Sequence, residues 1–376
     1  MTDPTLATGL RDTVAAVETT TVRLALDDRL AVHGARHVHA VSEFVLVRVR
    51  TSSGGYGYGE VSATRNWSGE DAVTAGHFVR DVVGPALVGE RLAPVPRLSA
   101  MVDRLVAGNP FMKAGVNTAL WDALGRLVGL PVAVLLGGPY RTEVPVKMSL
   151  SGDGDRLVRC HQAASAKGFT AFKVKVGKGV VQDLERARLA RATVGEDAFL
   201  GADANGGWAS GDARRAVAAL RDLGFDMVEQ PCAADDLAAH GRLRALGLPV
   251  VLDESVYGAA DLVRAIRAEA ADGVSLYVGK SAGLEHLVHA ATIAGQAGLE
   301  VIIGSNAEMG IGSAAMIHAA AACPTLGAVP SDIIGHHFYT EDILATPLDI
   351  DGRRAALPDG PGLGVELRDD VVKAFR

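Results

Sequence analysis

Between Lys173 and Asp253 the chain repeats one local design four times, and that repetition restricts the fold more than any other feature. Each copy is a short apolar run that closes on polar residues: residues 171–177 (AFKVKVG), 199–205 (FLGADAN), 226–231 (DMVEQP) and 250–255 (VVLDES). Asp203 follows Lys175 by 28 residues, Glu229 follows Asp203 by 26, and Asp253 follows Glu229 by 24. Each step is about the length of one strand, one helix and two short loops. Acids spaced in this way converge on one face of a parallel barrel.

The same rhythm extends beyond the four runs. Strand candidates are 144–150, 171–176, 199–203, 226–229, 250–253, 274–278, 299–303 and 328–333, with helical segments such as 181–194, 213–223, 259–270 and 284–297 between them. Alternation on this scale predicts a (β/α)8 barrel in preference to a doubly wound sheet. The last helix is short or irregular, so the barrel is a modified one. The first third reads differently. Strands at 19–26 and 44–50 and the Gly-rich hairpin SSGGYGYGE precede helical patterns over 70–128, broken at 84–85, 94–96 and 109–110. The division is therefore a polar lead (1–18), an α+β domain (19–140), the barrel (141–356) and a tail (357–376) that packs back on the α+β domain.

Composition excludes several classes of function. A net charge of −7 with no basic block argues against nucleic acid or an anionic membrane as partner. No apolar run approaches the roughly 20 residues that span a bilayer, and the N-terminus lacks the features of a secretory signal. Three widely spaced cysteines, Cys160, Cys232 and Cys323, read as free thiols in a reducing compartment, so a cytoplasmic protein is expected.

The polar strand ends carry chemistry. One acid at a strand end is equally a helix N-cap, but three in register on consecutive units repel one another unless a cation neutralises them. Oxygen-only ligands suit Mg2+, with Mn2+ as an alternative. Lys173 and Lys175, two apart on one strand, point to the same side. Each is expected to depress the other's pKa, making a general base near neutral pH. The combination predicts abstraction of a proton α to a carboxylate, with the metal stabilising the enediolate.

These residues resemble the muconate-lactonizing-enzyme (mandelate racemase/muconate cycloisomerase) subgroup of the enolase superfamily over nearly the whole chain. The likeness rests on KVKVG (173–177), DAN (203–205), EQP (229–231), DES (253–255), NTALWDALGRLVGLPVAVLLGG (117–138) and PGLGVEL (361–367). It implies an N-terminal domain capping the barrel mouth, Asp203, Glu229 and Asp253 as metal ligands, Lys175 as acid/base and Lys173 as its tuner. Asn205 and Glu254 take supporting roles, the substrate is a small carboxylic acid, and the enzyme is a homo-oligomer.

One departure from the family pattern bears on the reaction. Members with chemistry on both faces of the substrate carry a lysine at the end of the sixth strand, in a pattern like IKxxKxGG. The segment here is SLYVGKSAG, residues 275–283. The favoured alignment puts Tyr277 in the lysine's place and makes Lys280 an outer, structural or surface residue. The competing one makes Lys280 the second catalyst. Tyr277 is a poor base, since its ordinary pKa is near 10. Lys147 reaches the second face if its side of the first strand turns inward; otherwise it snorkels into solvent.

Further candidates surround this set. Glu308 stands in IIGSNAEMGIGS, where the family has an acid near the second face. Asp332, with His336 and His337, belongs to the eighth-strand segment and is expected near the pocket. In the cap, His33, His37 and His39 lie on a polar specificity loop, while Arg65 and Trp67 lie on a second descending loop, Arg65 suited to an anionic substrate. Trp121 reads as core. The expected function is a Mg2+-dependent cycloisomerase-like enzyme. A syn dehydratase, a racemase or epimerase of an amino-acid derivative, and a non-catalytic carboxylate-binding barrel are the alternatives.

Overall fold

The computed structural model is described here for residues 11–33, 38–39 and 41–376. Strands β1 (Val14–Ala25), β2 (Val41–Thr51) and β3 (Tyr56–Val61) form an antiparallel sheet in which β2 is central. β1 begins inside the stretch expected to be a polar lead, because Val14 already pairs with Thr51. Helix α1 (Pro110–Val128) packs directly on this sheet. Gly57 and Gly59 on β3 permit that approach: a Cβ on Gly57 would lie 2.1 Å from Ala123 N, and one on Gly59 1.9 Å from Gly115 O. The helical run does not break at Gly84–Pro85. A π-helical segment, Phe78–Val83, leads into Gly84–Leu87, with Pro85 in a first turn where its missing N–H is not required.

The barrel strands are β4 (Met148–Leu150), β5 (Phe172–Lys175), β6 (Leu200–Asp203), β7 (Met227–Glu229), β8 (Val250–Leu252), β9 (Gly273–Leu276) and β10 (Glu300–Ile303). They form one parallel sheet in sequential order. Helices α2 (Asp155–Ala166), α3 (Val180–Val194), α4 (Ser210–Asp222), α5 (Leu237–Arg244), α6 (Ala259–Arg267), α7 (Leu284–Gln296) and α8 (Gly310–Ala322) intervene. The fold is thus the modified (β/α)8 barrel with an N-terminal capping domain.

Two strand expectations need correction. The run 144–150 divides, because Glu143–Pro145 turns away to pair antiparallel with Arg354–Ala356. No strand forms at 328–333. Ser331 instead makes an isolated bridge to Val146, donating to Pro145 O and accepting from Lys147 N, while Asp332 N donates to Ile303 O. Closure at the eighth position therefore rests on a few bonds rather than a ladder.

Carboxylates join the two domains. Glu285 on α7 accepts from Asn117, Trp121 and Ser99, so Trp121 is buried but not purely a core residue. Asp122 on α1 accepts from Tyr58 N and Leu363 N, which ties the returning tail to the cap. Thr19 N also donates to Arg376 O. Cys160, Cys232 and Cys323 are free and buried. No helix among the described residues is long and apolar enough to cross a membrane.

Candidate active site

Parallel register brings the expected acids together. Lys175 pairs with Asp203, and Asp203 with Glu229; Asp253 directly follows β8 on the next strand. All three carboxylates are buried, and an ammonium meets each one. Lys175 Nζ donates to Asp203 Oδ2 at 2.5 Å and Lys173 Nζ to Glu229 Oε2 at 2.8 Å. Lys280 Nζ donates to the Asp253 carboxylate and, at 2.7 Å, to its carbonyl. Gly201 lies across from Lys173 and leaves space chiefly for Met227, whose side chain would come within 3.1 Å of a Cβ there.

The turns after these acids are strained. Asn205 (φ 44°) and Gln230 (φ 39°) occupy the left-handed region without being glycine, at a cost of roughly 1 kcal/mol or more each. Side-chain bonds hold them there. Asn205 Nδ2 donates to Glu254 Oε1 at 3.0 Å. Gln230 Oε1 accepts from Asp253 N (2.9 Å) and Ser255 N (3.2 Å), fixing the direction of the DES turn.

Electrostatics corrects one expectation in its net direction. Burial works to lower the pKa of both strand lysines, and Lys173 does work to lower that of Lys175, but the carboxylates outweigh them. Asp332, Glu229 and Asp203 hold Lys173 well above its ordinary value, and Asp203 holds Lys175 above its own. Burial pushes Glu229 up to about 7, and the neighbouring Asp203, Asp253 and Asp332 oppose the lowering effect of Lys173. Among the described residues, no three His, Cys, Asp or Glu groups are set as they stand to grip a metal ion. Their oxygens are turned onto ammonium groups instead. The donor chemistry still fits a hard divalent cation, because three crowded carboxylates, offering oxygen only, end three adjacent strands.

The opposite wall is aromatic. β5 and β9 are four positions apart in the sheet order, so they face each other across an eight-position barrel. Tyr277, just after β9, is buried, and its hydroxyl donates to Asp253 Oδ2 at 3.1 Å. Burial, then Asp253 and Glu254, raises its pKa well above the ordinary value, so it keeps its proton. Trp67 descends from the cap onto this wall. Its ring centroid lies 5.6 Å from Tyr277 and 5.9 Å from Tyr257, and its Nε1 donates to Glu254 Oε1 at 3.2 Å.

The match to known proteins covers both domains. The family description "Mandelate racemase / muconate lactonizing enzyme, N-terminal domain" matches residues 16–137, and "Enolase C-terminal domain-like" matches residues 156–371. The chain belongs to the enolase superfamily, in its muconate-lactonizing-enzyme subgroup. It is an enzyme. An N-succinyl-L-Arg/Lys racemase of Bacillus cereus is 32% identical over 332 residues, 88% of this chain and 89% of that one. A chloromuconate cycloisomerase of Cupriavidus pinatubonensis is 33% identical over 348 residues, covering 91% and 92%. The crystal structure of a muconate lactonizing enzyme from Pseudomonas fluorescens, complexed with muconolactone, superposes with a TM-score of 0.90 at 29% identity, covering 97% of this chain and all of that one.

Several expected residues stand elsewhere than this superfamily frame suggested. Lys280 is not at the surface, which leaves the structural alternative: it is fully buried, its Nζ 4.2 Å from the Tyr277 ring centroid. The turn at 277–283 folds it back beneath Asp253, where it also donates to Ser275 O at 2.9 Å. Lys147 turns inward but is locked, donating to Pro330 O and to Asp332 Oδ2 at 3.1 Å. Glu308 bonds its own loop, at Ser305 Oγ and Asn306 N, and accepts from Ser62 of the cap, away from the lysines. Arg65 is exposed and lines a cleft of about 370 Å3 with Asp71 and Asn306. His337 bonds Ile350 O and packs edge-on to Phe169, pointing out of the site, and burial lowers the pKa of His336. His33 lies on a two-residue strand paired with Val38–His39, and His37 lies outside the described residues.

Sequence reasoning missed two supports. Gln230 was visible only as the middle of EQP, although a glutamine at a buried strand end is itself a signal. Asp183 accepts from Gly177 N, Gly179 N and Trp208 Nε1, binding together the loops that follow β5 and β6. Its helix pairing with Arg186 three residues later was the readable hint.

Proposed function

We propose that this enzyme is a Mg2+-dependent isomerase of the muconate cycloisomerase-like type, in which Lys175 moves a proton at the carbon α to a substrate carboxylate. The opposition of Lys175 to Tyr277, with no lysine at that second position, carries the reading. Lys175 is the more accessible strand lysine, its side chain 14% exposed against 5% for Lys173, so a substrate meets it first. Lys173, pinned by Asp332 and Glu229, orients the site and offsets negative charge beside Lys175. Asp203, Glu229 and Asp253 would hold the metal, and when bound it would supply positive charge to the substrate carboxylate as the enediolate develops. Trp67 and Tyr257 exclude water above Glu254.

Relatives that carry cycloisomerase names support this reading, and proton delivery from one face suffices for a lactonisation or a syn elimination. Similarity to an N-succinyl-L-Arg/Lys racemase favours a second reading, racemisation of an amino-acid derivative. That reaction needs acid/base groups on both faces, and a tyrosine that retains its proton serves only as a donor. The test is incubation with Mg2+ in D2O against a panel of small carboxylic acids, followed by NMR. Exchange or turnover with retained configuration is expected. Exchange with inversion would overturn the one-faced mechanism, and no exchange with any acid would overturn the proposal.

A further inference from the structure

Lys147 stands apart from the other lysines of the barrel. It is fully buried, flanked by Val146 and Met148, and its backbone N–H donates to Ser331 O at the weakly paired closure of the barrel. Its ammonium has a carbonyl, Pro330 O, and one carboxylate oxygen, Asp332 Oδ2. That same oxygen accepts Lys173 Nζ at 2.9 Å, and Asp332 Oδ1 is buried without a partner. A buried ammonium so sparsely bonded is costly where an apolar side chain of similar length would fill the space. Two ammonium groups therefore share one carboxylate oxygen. Asp332 holds Lys173 only in part, and Lys173 remains 2.8 Å from Glu229 and 3.7 Å from Asp203.

We infer that Lys147 is a positioning residue: by sharing Asp332, it keeps Lys173 on Glu229 and Asp203 and so limits how tightly those carboxylates take a divalent cation. The inference rests on the functional reading above. Without the Lys147 charge, Asp332 draws Lys173 to itself. Glu229 and Asp203 lose their ammonium, and the buried cluster becomes one unit more negative. Affinity for a divalent cation then rises while proton transfer at Lys175 slows. A purely structural role gives the opposite sign, since a disordered closure loosens the metal.

The test is titration of the full-length protein with Mn2+, read by electron paramagnetic resonance of the free ion. Lys147→Met is expected to bind Mn2+ roughly tenfold more tightly than wild type, with slower α-proton exchange, and Lys147→Arg to return both toward wild type. Unchanged or weaker binding by folded Lys147→Met overturns the inference. Where that variant does not fold, Lys147→Met/Asp332→Asn restores the charge balance and is expected to bind within about threefold of wild type; a larger change overturns it. Wild type that binds Mn2+ without any difference in the variants defeats this inference alone. Wild type that binds none defeats the functional reading as well.

Discussion

The two walls of the barrel mouth are built on opposite principles. On the β5 side, Lys173 and Lys175 face a row of carboxylates, and ion pairs carry most of their polar contacts, with one longer bond from Lys175 to Asn205 Oδ1. On the β9 side, Tyr277 lies among Trp67, Phe111 and Tyr257, and the ammonium of Lys280 is folded beneath the tyrosine ring. A dense set of paired charges can move a proton with little rearrangement. A packed aromatic wall can exclude water and donate one hydrogen bond, but it offers no base. In the proposed mechanism the proton therefore travels on one side only.

The largest effect is expected from Lys175→Ala. It should lower α-proton exchange by about 10^3-fold or more while leaving the fold intact; circular dichroism and exchange in D2O check both halves. Activity retained by that variant would break the asymmetry outright. Tyr277→Phe sharpens it. Losing the hydroxyl should cost at most about tenfold if the wall serves to pack and donate, whereas a loss equal to that of Lys175→Ala would make Tyr277 an equal partner. Gly304→Ala reaches the same wall through packing. A Cβ there would lie 2.7 Å from the Tyr277 ring and 2.2 Å from Ser275 Oγ. Overpacking of this kind costs about 1–3 kcal/mol, measurable in thermal unfolding.

Away from both walls, His318 on α8 sets a smaller, pH-dependent effect. Its Nδ1 accepts from Ala133 N, and burial lowers its pKa to about 4. The neutral ring's contribution is fully present above pH 6.5 and is lost as pH falls toward 4, since the unfolded chain takes up the proton first. The loss should approach about 3 kcal/mol, and His318→Gln should flatten unfolding midpoints across that window.

The carboxylates were legible because strand order is local information. An apolar run, a polar end and a repeat of one strand and one helix place Asp203, Glu229 and Asp253 side by side with little further input. Lys173 and Lys175 were legible for the same reason, since two-residue alternation determines their side. Their protonation was not, because it depends on the distances to Asp203, Glu229 and Asp332 taken together. Arg65 was assigned to the substrate from its loop alone; the folded chain adds that it is exposed and lines a cleft with Asp71 and Asn306. The missing eighth strand has a similar origin: residues 328–333 have strand composition, but Pro330 and the departure of Glu143–Pro145 leave too few ladder partners.

By itself, the sequence determined the family, the barrel and the row of acids, because these follow from periodicity and from short motifs read along one strand. Only the tertiary structure decided the fate of each lysine. Lys175 is paired with Asp203 and slightly exposed, Lys173 is pinned, Lys280 is folded under Tyr277 and Lys147 is locked on Asp332. Their residue type is the same in all four places. What differs is which carboxylates, carbonyls and rings the closed barrel brings within 3 to 4 Å of each ammonium, and that is a property of the folded chain alone.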